Sequence, residues 1–145
     1  MLIKALELSK YIISKCINDK DPITNLQLQK ILYYIQYDFL SNRNEPIFSD
    51  DIEAWAFGPV IPNVYYYFSV FGSDFIDAKF ENYQEIIDNE SIRNIIDSIV
   101  EKKRKLNPWD MVEDTHKKGK AWDLIYNDKR KIKKIIPIDL IKKGI

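Results

Sequence analysis

The chain has 145 residues, of which 46% are hydrophobic and 30% are charged, a composition that suits one folded domain and excludes a disordered tail. One cysteine and one histidine exclude an internal disulfide framework and a multi-cysteine zinc site. The formal net charge is zero, yet residues 1–100 carry 8 basic and 15 acidic side chains, whereas residues 101–145 carry 14 basic and 7 acidic ones. The basic C-terminal part is therefore either a solvated face or a surface for an acidic partner, protein or nucleic acid.

The N-terminal segment predicts an amphipathic helix rather than an export signal. Ala5, Leu8, Ile12 and Cys16 recur near helical spacing, which favours a helix over residues 2–17 and a buried, structural thiol at Cys16. The segment lacks the basic and apolar regions of a signal peptide, and no apolar run approaches the roughly 20 residues that span a bilayer. We therefore expect a cytoplasmic protein without membrane contact.

The second helix has the strongest pattern in the chain. Thr24 and Gln27 have the spacing of a capping box, in which each side chain bonds the backbone amide of the other residue. Apolar residues then follow at i, i+3, i+4, i+7 and i+11, which predicts a single buried stripe that ends near residue 42. The stripe consists of Leu28, Ile31, Leu32, Ile35 and Phe39.

Residues 45–72 change character. Ile52, Ala54 and Ala56 alternate with larger or charged residues, which predicts a small β element at about residues 47–58. Pro62 is placed as a first helical residue, and Gly72 is placed to stop that helix after residue 71.

The second half predicts four more helices. Residues 90–105 have an apolar stripe with Asn89 or Asp88 as the cap, and Asn107 before Pro108 starts a helix that runs to residue 115. Short helices are expected at residues 121–126 and 138–143. The predicted fold is a mainly α, compact single-domain helical bundle with one small β element, and residues 1–145 are predicted to form one domain.

Residue types for catalysis are scarce. Four dispersed glycines leave no phosphate-binding loop. Asp110, Glu113 and Asp114 share a helix face near His116, an arrangement that could hold a hard cation or serve a general base. The favoured interpretation is a helix-terminal histidine that bonds a backbone carbonyl. The sequence therefore predicts a protein that is not an enzyme and needs no metal or cofactor.

Aromatic residues indicate a protein-binding surface. Tyr65, Tyr66, Tyr67 and Phe68 are consecutive, and because successive helical positions turn by about 100°, they cannot all face one core. The exposed rings either cover a neighbouring loop or form the apolar centre of an interface, where tyrosine and tryptophan are enriched. The same question applies to Tyr33, Tyr34 and Tyr37, whereas Trp55, Trp109 and Trp122 are interpreted as core residues.

Three segments resemble the signatures of a known family. Residues 24–34, TNLQLQKILYY, resemble the first signature of the Panacea antitoxin domain, the SocA-like or phage-associated GepA-like family. Residues 52–65, IEAWAFGPVIPNVY, resemble the second, and Asp114-Thr115-His116 followed by Ala121-Trp122 resembles the third. The motif positions are Leu28, Gln29, Lys30, Tyr33, Ala54, Trp55, Gly58, Pro59, Val60, Pro62, His116 and Trp122.

The resemblance implies an antitoxin that neutralises a cognate toxin, encoded by a neighbouring gene, through direct protein–protein binding. One kind of family member delivers its toxin to a cellular protease, which makes such a protease a second implied partner. The alternative is a nucleic-acid-binding regulatory protein of phage or mobile-element origin that uses the basic C-terminal segment, and the oligomeric state stays open. The residues expected to contact the partner are Lys30, Tyr34, Trp55, Gly58, Pro59, Tyr65, Tyr66 and Tyr67.

Overall fold

The computed structural model describes residues 2–131 and 134–144 and confirms the mainly helical fold with a small β element. The helices are α1 (Ala5–Asn18), α2 (Asn25–Arg43), α3 (Pro62–Tyr67), α4 (Glu90–Lys103), α5 (Pro108–Thr115), α6 (Ala121–Tyr126) and α7 (Ile138–Lys143). Two strands, β1 (Glu53–Trp55) and β2 (Gly58–Val60), form an antiparallel hairpin. Within the described residues, no helix is both long enough and apolar enough to cross a membrane.

Helix α2 is the centre of the fold. It contacts α1, α3, α4, α5, α7 and β2, so its buried surface extends well beyond the apolar stripe read from the sequence. The predicted capping box is confirmed: Gln27 N–H donates to Thr24 Oγ1 at 3.2 Å, and Thr24 N–H donates to Gln27 Oε1 at 2.9 Å. The helix ends at Asn44, which adopts a left-handed conformation. Because other elements surround α2, some of its polar residues are also buried. Two of them, Gln29 and Lys30, form hydrogen bonds with the backbone at the β hairpin.

The hairpin lies slightly later in the chain than predicted. The strands occupy residues 53–55 and 58–60, whereas the sequence indicated residues 47–58. The preceding loop follows the protein interior instead: Gln36 of α2 accepts from Ile47 N–H at 2.9 Å and donates to Phe48 C=O at 2.8 Å. Those bonds satisfy the buried backbone of residues 47–48, so a strand partner is not required there.

Several helix boundaries also differ from the prediction. Helix α1 begins at Ala5 rather than at residue 2. The α-helix that begins at Pro62 ends at Tyr67, and a 3₁₀ turn at Ser69–Phe71 completes the segment before Gly72. Helix α4, capped by Asn89 as predicted, ends at Lys103 rather than residue 105. The core nonetheless forms as expected, with the apolar stripes of α1, α2 and α4 buried together in one cluster.

The outer edge of β1 is covered by a distant part of the chain. Ala54 N–H donates to Lys134 C=O and Ile136 N–H donates to Ile52 C=O, each at 2.7 Å. This pairing satisfies the edge that a two-stranded hairpin would otherwise leave open. It also fixes the hairpin between the C-terminal segment on one side and α2 on the other.

Candidate protein-binding site

Side chains from three helices hold the backbone of the hairpin. From α2, Gln29 accepts from Ile61 N–H at 2.9 Å and Lys30 donates to Pro59 C=O at 3.3 Å. From the other side, Trp122 of α6 donates its indole N–H to Trp55 C=O at 2.7 Å. Motif residues far apart in the sequence therefore converge on one short stretch of backbone.

His116 ends α5 and completes this set of contacts. Its Nδ1 lies 2.6 Å from Val112 C=O, and its Nε2 lies 2.8 Å from Ala56 C=O at the hairpin turn. A carbonyl oxygen only accepts, so the doubly protonated ring satisfies both contacts, whereas a neutral ring donates to one of them. The ring also packs against Trp122, with centroids 3.6 Å apart and the two ring planes tilted by 33°. The favoured interpretation, a helix-terminal histidine bonded to a backbone carbonyl, is confirmed.

Lys30 is the most unusual residue of this region. Its side chain is fully buried, with 0% exposure, and burial lowers its pKa to about 7 from an ordinary value of 10.5. The ammonium lies directly beneath Gly58: a Cβ built on that glycine would be 2.4 Å from Lys30 Nζ and 3.0 Å from Thr115 Oγ1. Gly58 has φ +115°, a conformation that favours glycine. Position 58 thus excludes a side chain both by its backbone conformation and by contact with Lys30.

Four of the residues expected to contact the partner lie beneath the surface of the protein. Lys30, Tyr34, Gly58 and Pro59 are buried, so they offer no side-chain surface to a partner. Tyr34 donates to the Asp114 carboxylate at 2.8 Å, and burial together with this bond raises the pKa of the Tyr34 hydroxyl. These residues support the site from the protein interior, because the surrounding helices and the hairpin enclose them.

The other four expected contact residues lie at or near the surface. Trp55 and Tyr65 are half-buried, whereas Tyr66 is 64% exposed and Tyr67 is also exposed. The Trp55 ring lies 5.1 Å from the Tyr65 ring and 5.8 Å from the Tyr66 ring. Tyr67 turns away and packs against Phe68. The prediction that some rings of this run are exposed is confirmed, but they fall on two sides of α3.

An apolar groove of about 470 Å³ opens beside this aromatic cluster. It lies between the N-terminal ends of α2 and α5, the hairpin and α3. None of the residues that line it is charged. They are Thr24, Asn25, Leu26, Gln29, Trp55, Phe57, Val60, Tyr65, Gly72, Ser73, Pro108 and Trp109.

Two aromatic residues of the groove were missed by the sequence reasoning. Trp109 is 62% exposed and Phe57 is 58% exposed, and their rings meet edge to face with centroids 6.2 Å apart. The assignment of Trp109 to the core was wrong, whereas Trp122 is buried as expected. The helical period carries the missing signal: Trp109 precedes the buried Met111 by two residues, or about 200° around α5, which places it on the opposite face.

Other candidate sites have structural explanations. Cys16 is buried, and burial is the main cause that raises its thiol pKa, in agreement with a structural thiol. Among residues 2–131 and 134–144, no group of three or more His, Cys, Asp and Glu side chains is arranged to hold a metal ion. The basic residues of the C-terminal part are distributed over the end of α4, the loop after α5, the segment after α6 and α7. Some are paired, as Lys117 is with Asp114 at 2.8 Å.

Comparison with known proteins identifies the family. Residues 28–123 match the profile described as the antitoxin SocA-like, Panacea domain. The chain belongs to the SocA-like Panacea family. Antitoxin SocA of Caulobacter vibrioides (strain NA1000 / CB15N) is 47% identical over 55 residues, a stretch that covers 38% of this chain and 29% of SocA. The aligned part of the chain thus spans less than a third of the length of that curated relative. No solved structure matches this chain.

The family description and the curated relative are both named for an antitoxin. Five of the motif residues meet at the hairpin, namely Gln29, Lys30, Gly58, His116 and Trp122. Three motif positions also line the groove, namely Gln29, Trp55 and Val60.

Proposed function

We propose that this protein neutralises a cognate toxin by binding it directly through the apolar groove beside the hairpin, and that residues 1–145 act as one Panacea-like domain. The observation that carries the proposal is a group of solvent-exposed aromatic rings at an uncharged groove. Phe57 and Trp109 line the groove, and Tyr66 contacts the lining residue Trp55. Exposed aromatic clusters of this kind are typical of protein interfaces. The toxin is expected to be the product of a neighbouring gene, made in the same cytoplasm.

The support under the groove favours a preformed site. Trp55 C=O, Ala56 C=O, Pro59 C=O and Ile61 N–H are all bonded by side chains from α2, α5 and α6. A hairpin held in this way loses little conformational freedom when a partner binds, so more of the contact free energy appears as affinity. Such rigidity suits an interface that must hold a toxin continuously.

The proposal is tested by co-expression. Each neighbouring open reading frame is induced alone and then together with this chain, and viable colonies are counted. We expect one neighbour to be toxic and the wild-type chain to restore growth. Replacement of Trp109 by Ala should reduce rescue and weaken the purified complex by about 1–3 kcal/mol, the usual range for an aromatic residue at an interface centre.

A matched variant separates the groove from general surface effects. Tyr67→Ala removes an exposed ring that packs against Phe68 and lies outside the groove lining. We expect this variant to rescue growth as the wild type does. If Tyr67→Ala and Trp109→Ala are equally impaired, or if both rescue fully, the groove is not the toxin-binding surface.

Two other modes give different results in the same system. An adaptor that delivers the toxin to a protease would lose rescue in a strain that lacks the protease, whereas direct occlusion would retain it. A nucleic-acid-binding regulator would retard DNA or RNA at low salt, with affinity that falls steeply as salt rises. The exposed aromatic groove favours a protein partner because it offers no charge to phosphate groups.

A further inference from the structure

The exposed or half-buried charged residues that directly adjoin a lining residue, either in the chain or by a hydrogen bond, are acidic. Asp74 follows Ser73 of the lining and Asp110 follows Trp109, and both are exposed. Glu53 accepts a hydrogen bond from the Trp55 indole N–H at 3.0 Å. The one lysine next to a lining residue, Lys30, is fully buried beneath the hairpin. Carboxylates therefore adjoin the uncharged lining of the groove at three positions.

This combination of features selects a particular ligand chemistry. Trp109 and Tyr66 are exposed aromatic residues, and guanidinium groups stack on the faces of aromatic rings while they pair with nearby carboxylates. An acidic border repels an acidic segment or a phosphate backbone, whereas the apolar floor requires an apolar occupant. We propose that the groove binds a segment of the partner protein in which apolar side chains are flanked by arginine. The assignment rests on the proposed function, because it names the chemistry of the segment that the toxin would present.

The test uses a phage-displayed library of random peptides selected on the immobilised, purified chain. Peptides that also bind the Trp109→Ala variant, which lacks the exposed indole, are discarded. The remaining peptides depend on the groove for binding. We expect arginine to be enriched at least about threefold over the starting library beside leucine or aromatic residues, as electrostatic complementarity to two or three carboxylates requires. Fluorescence polarisation then measures the affinity of one selected peptide.

Charge reversal at the border provides the decisive comparison. For the double variant Asp74→Lys/Asp110→Lys we expect about tenfold weaker binding of the selected peptide, since two exposed attractions become repulsions. The difference should shrink at high ionic strength. The control is Glu81→Lys/Asp88→Lys, which makes the same change in net charge at two exposed residues outside the groove lining, and its binding should be close to that of the wild type.

Several outcomes would overturn the assignment. The first is that no groove-dependent peptide is selected, and the second is that acidic or purely apolar sequences are enriched instead. The third is that the selected peptide binds Asp74→Lys/Asp110→Lys and the control variant with equal affinity. A wild-type dimer that dissociates on Trp109→Ala would instead make a second copy of this chain the occupant. Colony rescue by the wild-type chain is measured independently, so rescue without peptide binding would leave the proposed function standing and remove only the arginine-flanked segment.

Discussion

Replacement of Lys30 by Met should change how stability depends on pH. Lys30 is fully buried, and burial lowers its pKa to about 7 from 10.5. Between these values the unfolded chain holds a proton that the folded chain releases, so the free energy of unfolding rises with pH. Below about pH 7 both states are protonated at this residue, and its contribution no longer varies with pH.

The size of the effect follows from the lowered pKa. At about pH 7 half of the folded molecules carry a charged Lys30, and at about pH 9 almost none do, whereas the unfolded chain stays charged at both. The difference gives a gain of about 2 kcal/mol in the free energy of unfolding of the wild type over this range. The Lys30→Met variant lacks this gain, so the two stability curves should converge or cross rather than run parallel.

Urea denaturation followed by far-ultraviolet circular dichroism measures both curves. The range stops at about pH 9 because burial raises the pKa of Tyr33, and a raised tyrosine pKa makes stability fall once the unfolded chain starts to ionise. Lys118→Met removes an exposed lysine and controls for the loss of one surface charge. Parallel curves for wild type and Lys30→Met would refute the reasoning and would show that Lys30 titrates alike in both states.

Two further changes test the support of the groove. Gly58→Ala should lower the free energy of unfolding by about 2 kcal/mol or more. The backbone φ of this residue is +115°, and the added Cβ would meet Lys30 Nζ. An unchanged melting temperature would refute this reasoning. Gln36→Leu should lower the free energy of unfolding by about 2–4 kcal/mol, because it leaves Ile47 N–H and Phe48 C=O buried without hydrogen-bond partners. Denaturant midpoints measure this loss. Slow hydrogen exchange of the Ile47 amide in the variant would show that the amide still has a partner and would contradict the explanation.

The helices were predictable because their signals are local. The Thr24 capping box, the Asn89 cap and the Asn107-Pro108 start each rely on residues within one turn of a helix end, and all three are found in the structure. The family could also be recognised from contiguous motifs, since residues 28–123 match the SocA-like Panacea profile. The hairpin boundary was harder, because Gln36 satisfies the loop backbone from another helix.

The roles of individual motif residues depended on long-range contacts. Lys30 was expected to contact the partner, but α2 is surrounded by other elements and the Lys30 ammonium is buried beneath Gly58. His116 and Trp122 reach the hairpin from 60 or more residues away in the sequence. Trp109 lies on the outer face of α5, and its ring meets that of Phe57 in the lining of the groove.

The helices, their caps and the family follow from the sequence alone, because hydrophobic period, capping chemistry and contiguous motifs are local signals. The exposure of individual side chains instead depends on the tertiary structure. Burial depends on what packs around an element, and for α2, the hairpin and α5 those neighbours come from distant parts of the chain. The groove exists for the same reason, since its aromatic rings are brought together from three separate segments of the chain.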